Sequence, residues 1–476
     1  MSAAIPADLS DFIARITARG TLGASAELKF GPAYAARAPG RLDVMGGIAD
    51  YSGALVLQWP IRESTRVGLM RHPDRVLNIS SVSAGRVRRV DVPLDVFDGG
   101  RASYQQVRAW FDASPDRHWA AYVAGVFHVL AREHGVRFAA GAAILIESDV
   151  PEGRGVSSSA AIEAATMEAA CAAWHVSIDP TLRALRCQQV ENLIVGAPCG
   201  VMDQMASICG EAESLMALLC QPAEFQGSVP LPEQLRVWGV DSGIRHAITG
   251  ADYGAVRVGA FMGYRILAEL AGLRVASGKR EGHVQVDDPR WGGYLANVGG
   301  EAFRRFEQDI PETLDGAAFL ARYGGTTDLV TRVDPARRYA IRTPTGHPIY
   351  EHERVTEWAA LLSASPSAAA ISGAARLGAL MYESHASFSA CGLGSDGTDR
   401  LVSLARAAGP PRGIYGAKIT GGGSGGTVAI LADSSAGDTV GAIAREYAGE
   451  TGHDAYVFEG TSPGAARIGT IRLDPA

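Results

Sequence analysis

Pro151-Glu152-Gly153-Arg154-Gly155-Val156-Ser157-Ser158-Ser159-Ala160-Ala161 lies between a predicted strand and a predicted helix of small residues. A helix N-terminus presents unpaired amide hydrogens and the positive end of the helix dipole. Gly153 and Gly155 let that backbone come close to a bound group. The hydroxyls of Ser157, Ser158 and Ser159 add donors, one of which could ligate a cation. A phosphate is the ligand such a turn suits; the plainer alternative is a capped helix after a glycine turn. Other candidates are single charges. Arg41 follows Ala38-Pro39-Gly40 between two strands, Asp203 follows a turn with Pro198 and Gly200, and Glu191 sits within a predicted helix. Taken alone, Arg41 and Asp203 are more commonly surface charges, and Glu191 part of a solvated helix face. Trp119 and Tyr122, three apart on one helix face, make either a core pair or a wall for a flat ring.

Other phosphate-binding signatures are missing. There is no Walker A sequence: Gly278-Lys279-Arg280 lacks its flanking pattern, and the protein-kinase signatures are absent. Gly421–Gly426 (GGGSGG) formally fits GxGxxG, but a predicted strand follows it, not a helix. A tight turn that brings backbone up to a site is the better reading.

The elements that must position these residues are legible from periodicity. An amphipathic helix is predicted at 8–20, a strand–loop–strand from Ala35, and alternating strands at 65–71, 77–82 and 87–93. Residues 119–134 have helical spacing, 141–148 read as a strand, and 181–195 as a helix. Proline and charge between apolar runs at 221–236 place a boundary there, dividing the chain into 1–225 and 226–476. Beyond it come a strand from Leu235, a helix from about Tyr253, helices at 354–363 and 371–391, strands around the glycine run, a helix at 436–448, and strands at 455–459 and 467–473. Residues 276–345 hold charge, glycine and short helical pieces without a clear pattern. Strands and helices mix without βαβ regularity, which predicts an α+β class.

Composition excludes some functions. Net charge is −7, not the basic excess of a nucleic-acid binder. No apolar run reaches the ~18 residues of a membrane span, and the N-terminus lacks the pattern of a signal peptide. Cys171, Cys187, Cys199, Cys209, Cys220 and Cys391 show no CxxC spacing, so free thiols in a reducing cytoplasm are expected.

Taken together and in order, these pieces resemble the GHMP kinases. The first motif is APGRLDVMGGIADYSGALVLQ, the middle one PEGRGVSSSAA, the last KITGGGSGG. The first motif and CQQVENLIVGAPCGVMDQMASICGE (187–211) are of galactokinase type. GRLDVMGGIADYSG, DSGIRHAITGADYGAVRVGAFMG (241–263) and SACGLGSDGTDRL (389–401) are similar to the kinase region of L-arabinokinases.

The resemblance implies a two-domain fold, with an N-terminal domain like domain 2 of ribosomal protein S5 and a ferredoxin-like C-terminal domain. ATP and a small-molecule sugar would meet between them, with no nucleic acid or membrane partner, in a monomer or homodimer. By the same resemblance Asp203 and Arg41 would be catalytic. Gly153, Arg154, Gly155, Val156, Ser157, Ser158 and Ser159 would wrap the ATP phosphates, and Trp119 and Tyr122 would flank the adenine. Ser159 and Glu191 would hold Mg²⁺, and Asp50, Gly200 and Tyr253 would contact the sugar.

The sequence departs from the galactokinase pattern G-E-H-T-D-Y, where it has Gly46-Gly47-Ile48-Ala49-Asp50-Tyr51. In galactokinases the Glu and His serve the hexose, including its C6 hydroxyl. L-Arabinopyranose shares galactose's ring hydroxyls but lacks that group, and a buried polar side chain without a partner costs ~1–3 kcal/mol. Gly47 and Ile48 remove that cost, and together with the wider resemblance they imply phosphorylation of L-arabinose at the anomeric hydroxyl as the expected activity. Phosphorylation of D-galactose is the alternative. A catalytically silent sugar- and ATP-binding regulator is a second class, disfavoured by the intact middle motif.

Overall fold

The computed structural model describes residues 5–19, 21–22, 26–27, 31–83, 86–245, 251–278, 280–364 and 369–474. The start of the N-terminal segment, Gly20, Lys279 and part of the 241–263 motif (246–250) lie outside them.

Helix α1 (Ala7–Arg19) precedes the long antiparallel pair β1 (Ala33–Met45) and β2 (Leu55–His72). A two-turn 3₁₀ segment, Gly47–Ser52, joins the pair. Next come β3 (Val76–Ser83), β4 (Arg86–Pro93), α2 (Ala121–His134), β5 (Gly141–Ser148), α3 (Ser158–Ala173), α4 (Pro180–Gln189) and α5 (Met202–Cys209). Strands β6 (Ser214–Leu219) and β7 (Glu224–Pro230) complete this part. The sheet runs β1–β2–β5–β3–β4, with β6 on the far part of β2 and β7 on β6; only β3 and β5 are parallel. Helix α3 is built of alanines, and Ala160, Ala161, Ala164, Ala165, Ala169 and Ala170 are all buried. Such small side chains let its axis lie close to the sheet.

A second sheet follows. β8 (Leu235–Asp241) leads into α6 (Ala251–Leu270), the irregular 276–341 region, and helices α7 (Arg342–Ala364), α8 (Ala369–Ala390) and α9 (Asp396–Ala408). Then come β9 (Ile414–Ile419), β10 (Thr427–Asp433), α10 (Gly437–Thr451), β11 (Val457–Phe458) and β12 (Ile471–Leu473). The antiparallel order is β9–β10–β8–β11. Strand alternation divides its two faces. Trp238, Val240, Val428 and Ile430 pack under α9 and α10. Val237, Ala429 and Leu431 pack with Trp358 and Leu377 of α7 and α8, and with Leu42, Val44 and Trp59 of the first sheet. The two sheets thus share a core. β12 crosses back to pair with β1 through Leu473↔Ala33.

The α+β expectation holds, with four local differences. Helix α7 begins at Arg342, not 354. Pro344, Gly346 and Pro348 read as breakers, but Pro344 occupies the first turn, where its missing N–H costs nothing. Pro348 forfeits one bond while Ile349, Val355 and Trp358 are fully buried. The helix predicted at 181–195 closes in a widened π turn, Val190–Val195. Residues 467–473 are only partly strand, since Ala465–Ile468 make a helical turn before β12. Of the strand predicted at 455–459, only Val457–Phe458 pair as β11.

Candidate active site

The loop from β5 to α3 is held in a shape that few residues adopt. Gly153 and Gly155 have φ of +73° and +71°, and Ser157, which is not glycine, has +63°. Ser157 makes no capping bond, and its hydroxyl is buried without a partner among the described residues. The first amides of α3 therefore lack the usual side-chain cap, and strain of this kind concentrates at ligand sites.

The loop rests on the glycine run between β9 and β10. Thr427 donates its hydroxyl hydrogen to the Arg154 carbonyl at 2.9 Å. A Cβ at Gly421 would come within 2.6 Å of the Gly155 oxygen, and one at Gly426 within 2.7 Å of the Arg154 oxygen. The run is a backbone seat for the phosphate-type loop, as its following strand implied.

Arg41, only 2% exposed, joins that loop to Asp203. Its Nη1 donates to the Gly155 carbonyl at 2.7 Å, while Nε and Nη2 both donate to Asp203 Oδ1 at 3.0 and 2.7 Å. Its own amide donates to the Val156 carbonyl at 3.1 Å. Asp203 lies in the first turn of α5. The carboxylate and the serine-rich turn, remote in sequence, are bound to one guanidinium.

Beside Asp203 stands Asp50, on the 3₁₀ turn and 4% exposed. Its Oδ1 has no hydrogen-bond partner among the described residues. Burial first, then the nearby Asp203 charge, push its carboxyl up to about 7, against the opposing pull of Arg257. Gly200 admits no side chain, because a Cβ there would lie 1.8 Å from Asp50 Oδ2.

Glu191 sits in the π turn, a distortion common at functional sites. Burial and Asp203 push it up to about 7, while hydrogen bonds from Ser159, Cys199 and Gln204 pull the other way. Ser159 and Glu191 are thus adjacent. Gln204 Nε2 bridges Glu191 (2.7 Å) to a second buried acid, Glu163 (3.2 Å). Trp119 and Tyr122 sit at the start of α2, partly buried against the main core. The Tyr122 phenol is driven well above its usual range by burial and by Glu191, which places it near the acids.

Tyr253 packs with Ile48, Val256, Phe388 and Leu393, and Ile48 is wholly buried in that cluster. Gly47 has φ +48°, and a Cβ there would strike Phe388 Cζ at 2.3 Å. Phe388 covers the point where a longer residue 47 would project.

The sequence reading missed a buried ion pair behind this loop. Lys418 Nζ lies 2.5 Å from Asp43 Oδ2, both groups fully enclosed. Asp43 Oδ1 accepts from the Gly47 amide and from Gln58 Nε2. The available signal was charge inside two apolar strands: Asp43 beside Arg41 in GRLDVM, and Lys418 alone in GIYGAKI. Arg257 and Asp328 were also missed, because the pair joins segments 71 residues apart.

Family models described as GHMP kinases N terminal domain and GHMP kinases C terminal match residues 121–211 and 367–449. An L-arabinokinase of Arabidopsis thaliana is 44% identical over 92% of this chain, which spans 47% of that protein. A galactokinase of Chloroflexus aggregans is 31% identical over 91% of this chain and 93% of its own. The crystal structure of Lactococcus lactis galactokinase complexed with galactose matches with a TM-score of 0.70 at 19% identity, covering 98% of this chain and 100% of that one. The Methanococcus jannaschii mevalonate kinase matches at 0.54 and 12% identity, over 89% and 96%. Both structures share the fold. With a relative matched nearly end to end, and three motifs in contact around Gly155, the chain belongs to the GHMP kinase family and to its galactokinase-like group.

Proposed function

We propose that the chain is an ATP-dependent sugar 1-kinase that converts L-arabinose to L-arabinose 1-phosphate. The observation that carries the reading is the Arg41 guanidinium, bonded to the Gly155 carbonyl and to Asp203 at once. In this reading the amides from Gly153 to Ser158 bind the ATP phosphates, and Trp119 and Tyr122 flank the adenine. Asp50, Gly200 and Tyr253 face the sugar, with Gly47 and Ile48 shaping that corner from behind. Both Arg41 bonds to Asp203 fall on Oδ1, which leaves Oδ2 to take the anomeric hydroxyl. The sugar oxygen bonds to the γ-phosphorus as the bond to the β,γ-bridging oxygen breaks, and the hydroxyl proton passes to Asp203. Arg41 balances charge on the moving phosphoryl group.

Ser159 and Glu191 suit Mg²⁺: both offer oxygen, and Glu191 is a buried acid that feels the charge of a second acid, Asp203. These two residues would hold the ion. When bound, Mg²⁺ draws negative charge from the β- and γ-phosphates. A cytoplasmic setting accords with six unpaired cysteines among the described residues.

The sugar assignment rests on the Gly47–Ile48 corner, which offers no polar side chain to a hydroxymethyl group, and on the relative named L-arabinokinase. D-Galactose is the second candidate, favoured by the galactokinases at 31% identity. A silent regulatory protein is disfavoured by the presence of Arg41, Ser159, Glu191 and Asp203 in one site. An ADP-release assay with L-arabinose, ATP and Mg²⁺ tests the reading, with ³¹P NMR to locate the product phosphate on the anomeric carbon. Activity lost in Asp203→Ala supports it. Equal background from both proteins points to a binding protein.

A further inference from the structure

Arg257 lies on α6 one helical turn after Tyr253, so the two share a face. It is 5% exposed and paired with Asp328, 7% exposed, from the region without a motif. The pair is bidentate, Nε–Oδ2 and Nη2–Oδ1 both at 2.8 Å. Asp328 is fixed in turn by the Val330 and Thr331 amides at 3.1 Å and the Thr331 hydroxyl at 2.6 Å. The remaining Arg257 nitrogen, Nη1, donates to the Cys199 carbonyl at 3.0 Å. That carbonyl precedes Gly200, the residue pressed against Asp50, and α5 with Asp203 begins just beyond. The guanidinium carbon also lies 5.3 Å from the Tyr51 ring centre, and Tyr51 meets Tyr253 edge-on at 5.8 Å.

We infer that Arg257, clamped by Asp328, is a positioning residue for the sugar corner, setting the Cys199–Gly200 turn against Asp50 and facing that carboxylate with a fixed positive charge. This rests on the sugar-kinase reading and gives the 276–345 region a role in it. A pair serving only as a staple would need neither the third bond to Cys199 nor a place beside Asp50. Arg257 is also the cation that opposes the burial, Asp203 and Asp43 effects on Asp50.

The test compares wild type with Arg257→Lys, Asp328→Asn and the double variant Arg257→Met/Asp328→Leu, which removes both charges and so avoids a lone buried ion. For each, KM for L-arabinose, KM for ATP, kcat, sugar Kd by calorimetry and the thermal midpoint are measured. The expected result is a sugar KM and Kd raised about tenfold or more in the double variant, with ATP KM within about twofold. Arg257→Lys, which keeps the charge but not the fork, should fall between. Sugar constants within twofold of wild type in a folded variant would overturn the inference. So would sugar and ATP KM rising together in step with a falling thermal midpoint. Wild type that binds sugar without turnover would refute the kinase reading, while the Kd series would still decide the clamp. Wild type that neither binds nor phosphorylates any sugar of a pentose and hexose panel would overturn both.

Discussion

Asp50 is held in a state that costs stability and suits a ligand. Its carboxyl is pushed up to about 7 from 3.8. A folded pKa above the unfolded one means that protonation stabilises the fold fully below about 3.8, and that this contribution is lost as pH rises through about 7. Linkage gives a loss of up to about 2–3 kcal/mol between pH 5 and 8 from this group. Asp50→Asn cannot ionise. It should therefore stabilise the empty protein relative to wild type at pH 8, by urea midpoint, and much less at pH 5, while weakening sugar binding. An equal effect at both pH values would contradict the assignment of buried charge. Asp203→Asn keeps the shape but loses the negative partner of Arg41, and kcat should fall by roughly 10²–10⁴ with ATP binding retained. Asp203 and Arg41 were legible because they stand in dense motifs. Asp43 and Lys418 stand in the first and last motifs as well, but their pairing spans 375 residues and shows only once the sheets meet.

The glycine seat leaves no room for a methyl group. Gly421 and Gly426 have φ of +73° and +82° and face the phosphate-type loop backbone. Alanine at either position meets a carbonyl oxygen and an unfavourable φ worth ~1–2 kcal/mol. Gly421→Ala should lower the thermal midpoint and raise ATP KM by about tenfold. Gly437→Ala, at the open start of α10 with no atom within 4 Å of a new Cβ, should change neither. The strand–turn–strand form of this seat could be read from apolar runs around GGGSGG. The π turn that carries Glu191 could not, because one extra residue per turn leaves helical spacing nearly intact. The early start of α7 was hidden for another reason: proline chemistry predicts a break that buried Ile349 and Trp358 override.

Over the whole molecule, the change from first to second sheet falls between β7, ending at Pro230, and β8, starting at Leu235. The chain does not stay divided there. β12 pairs with β1, Arg37 donates to Ser462, and Leu42, Val44 and Trp59 share a core with Val237 and Leu431. A fragment of residues 1–225 should accordingly lack a cooperative urea transition by near-ultraviolet circular dichroism, while the full chain shows one. The strand at Ile471–Leu473 fell within the predicted 467–473, but its partner at the other end of the chain did not show, because pairing over such a separation leaves no local pattern. The three motifs converge on Arg41 and the loop it holds, and in the proposed reading the Asp50 corner selects the sugar. The most direct test is the ratio of kcat/KM for L-arabinose to that for D-galactose, at saturating ATP and Mg²⁺. A ratio well above one is expected from the apolar Gly47–Ile48 corner; a clear preference for galactose would contradict the sugar assignment, and no ADP formed with either sugar would contradict the kinase itself.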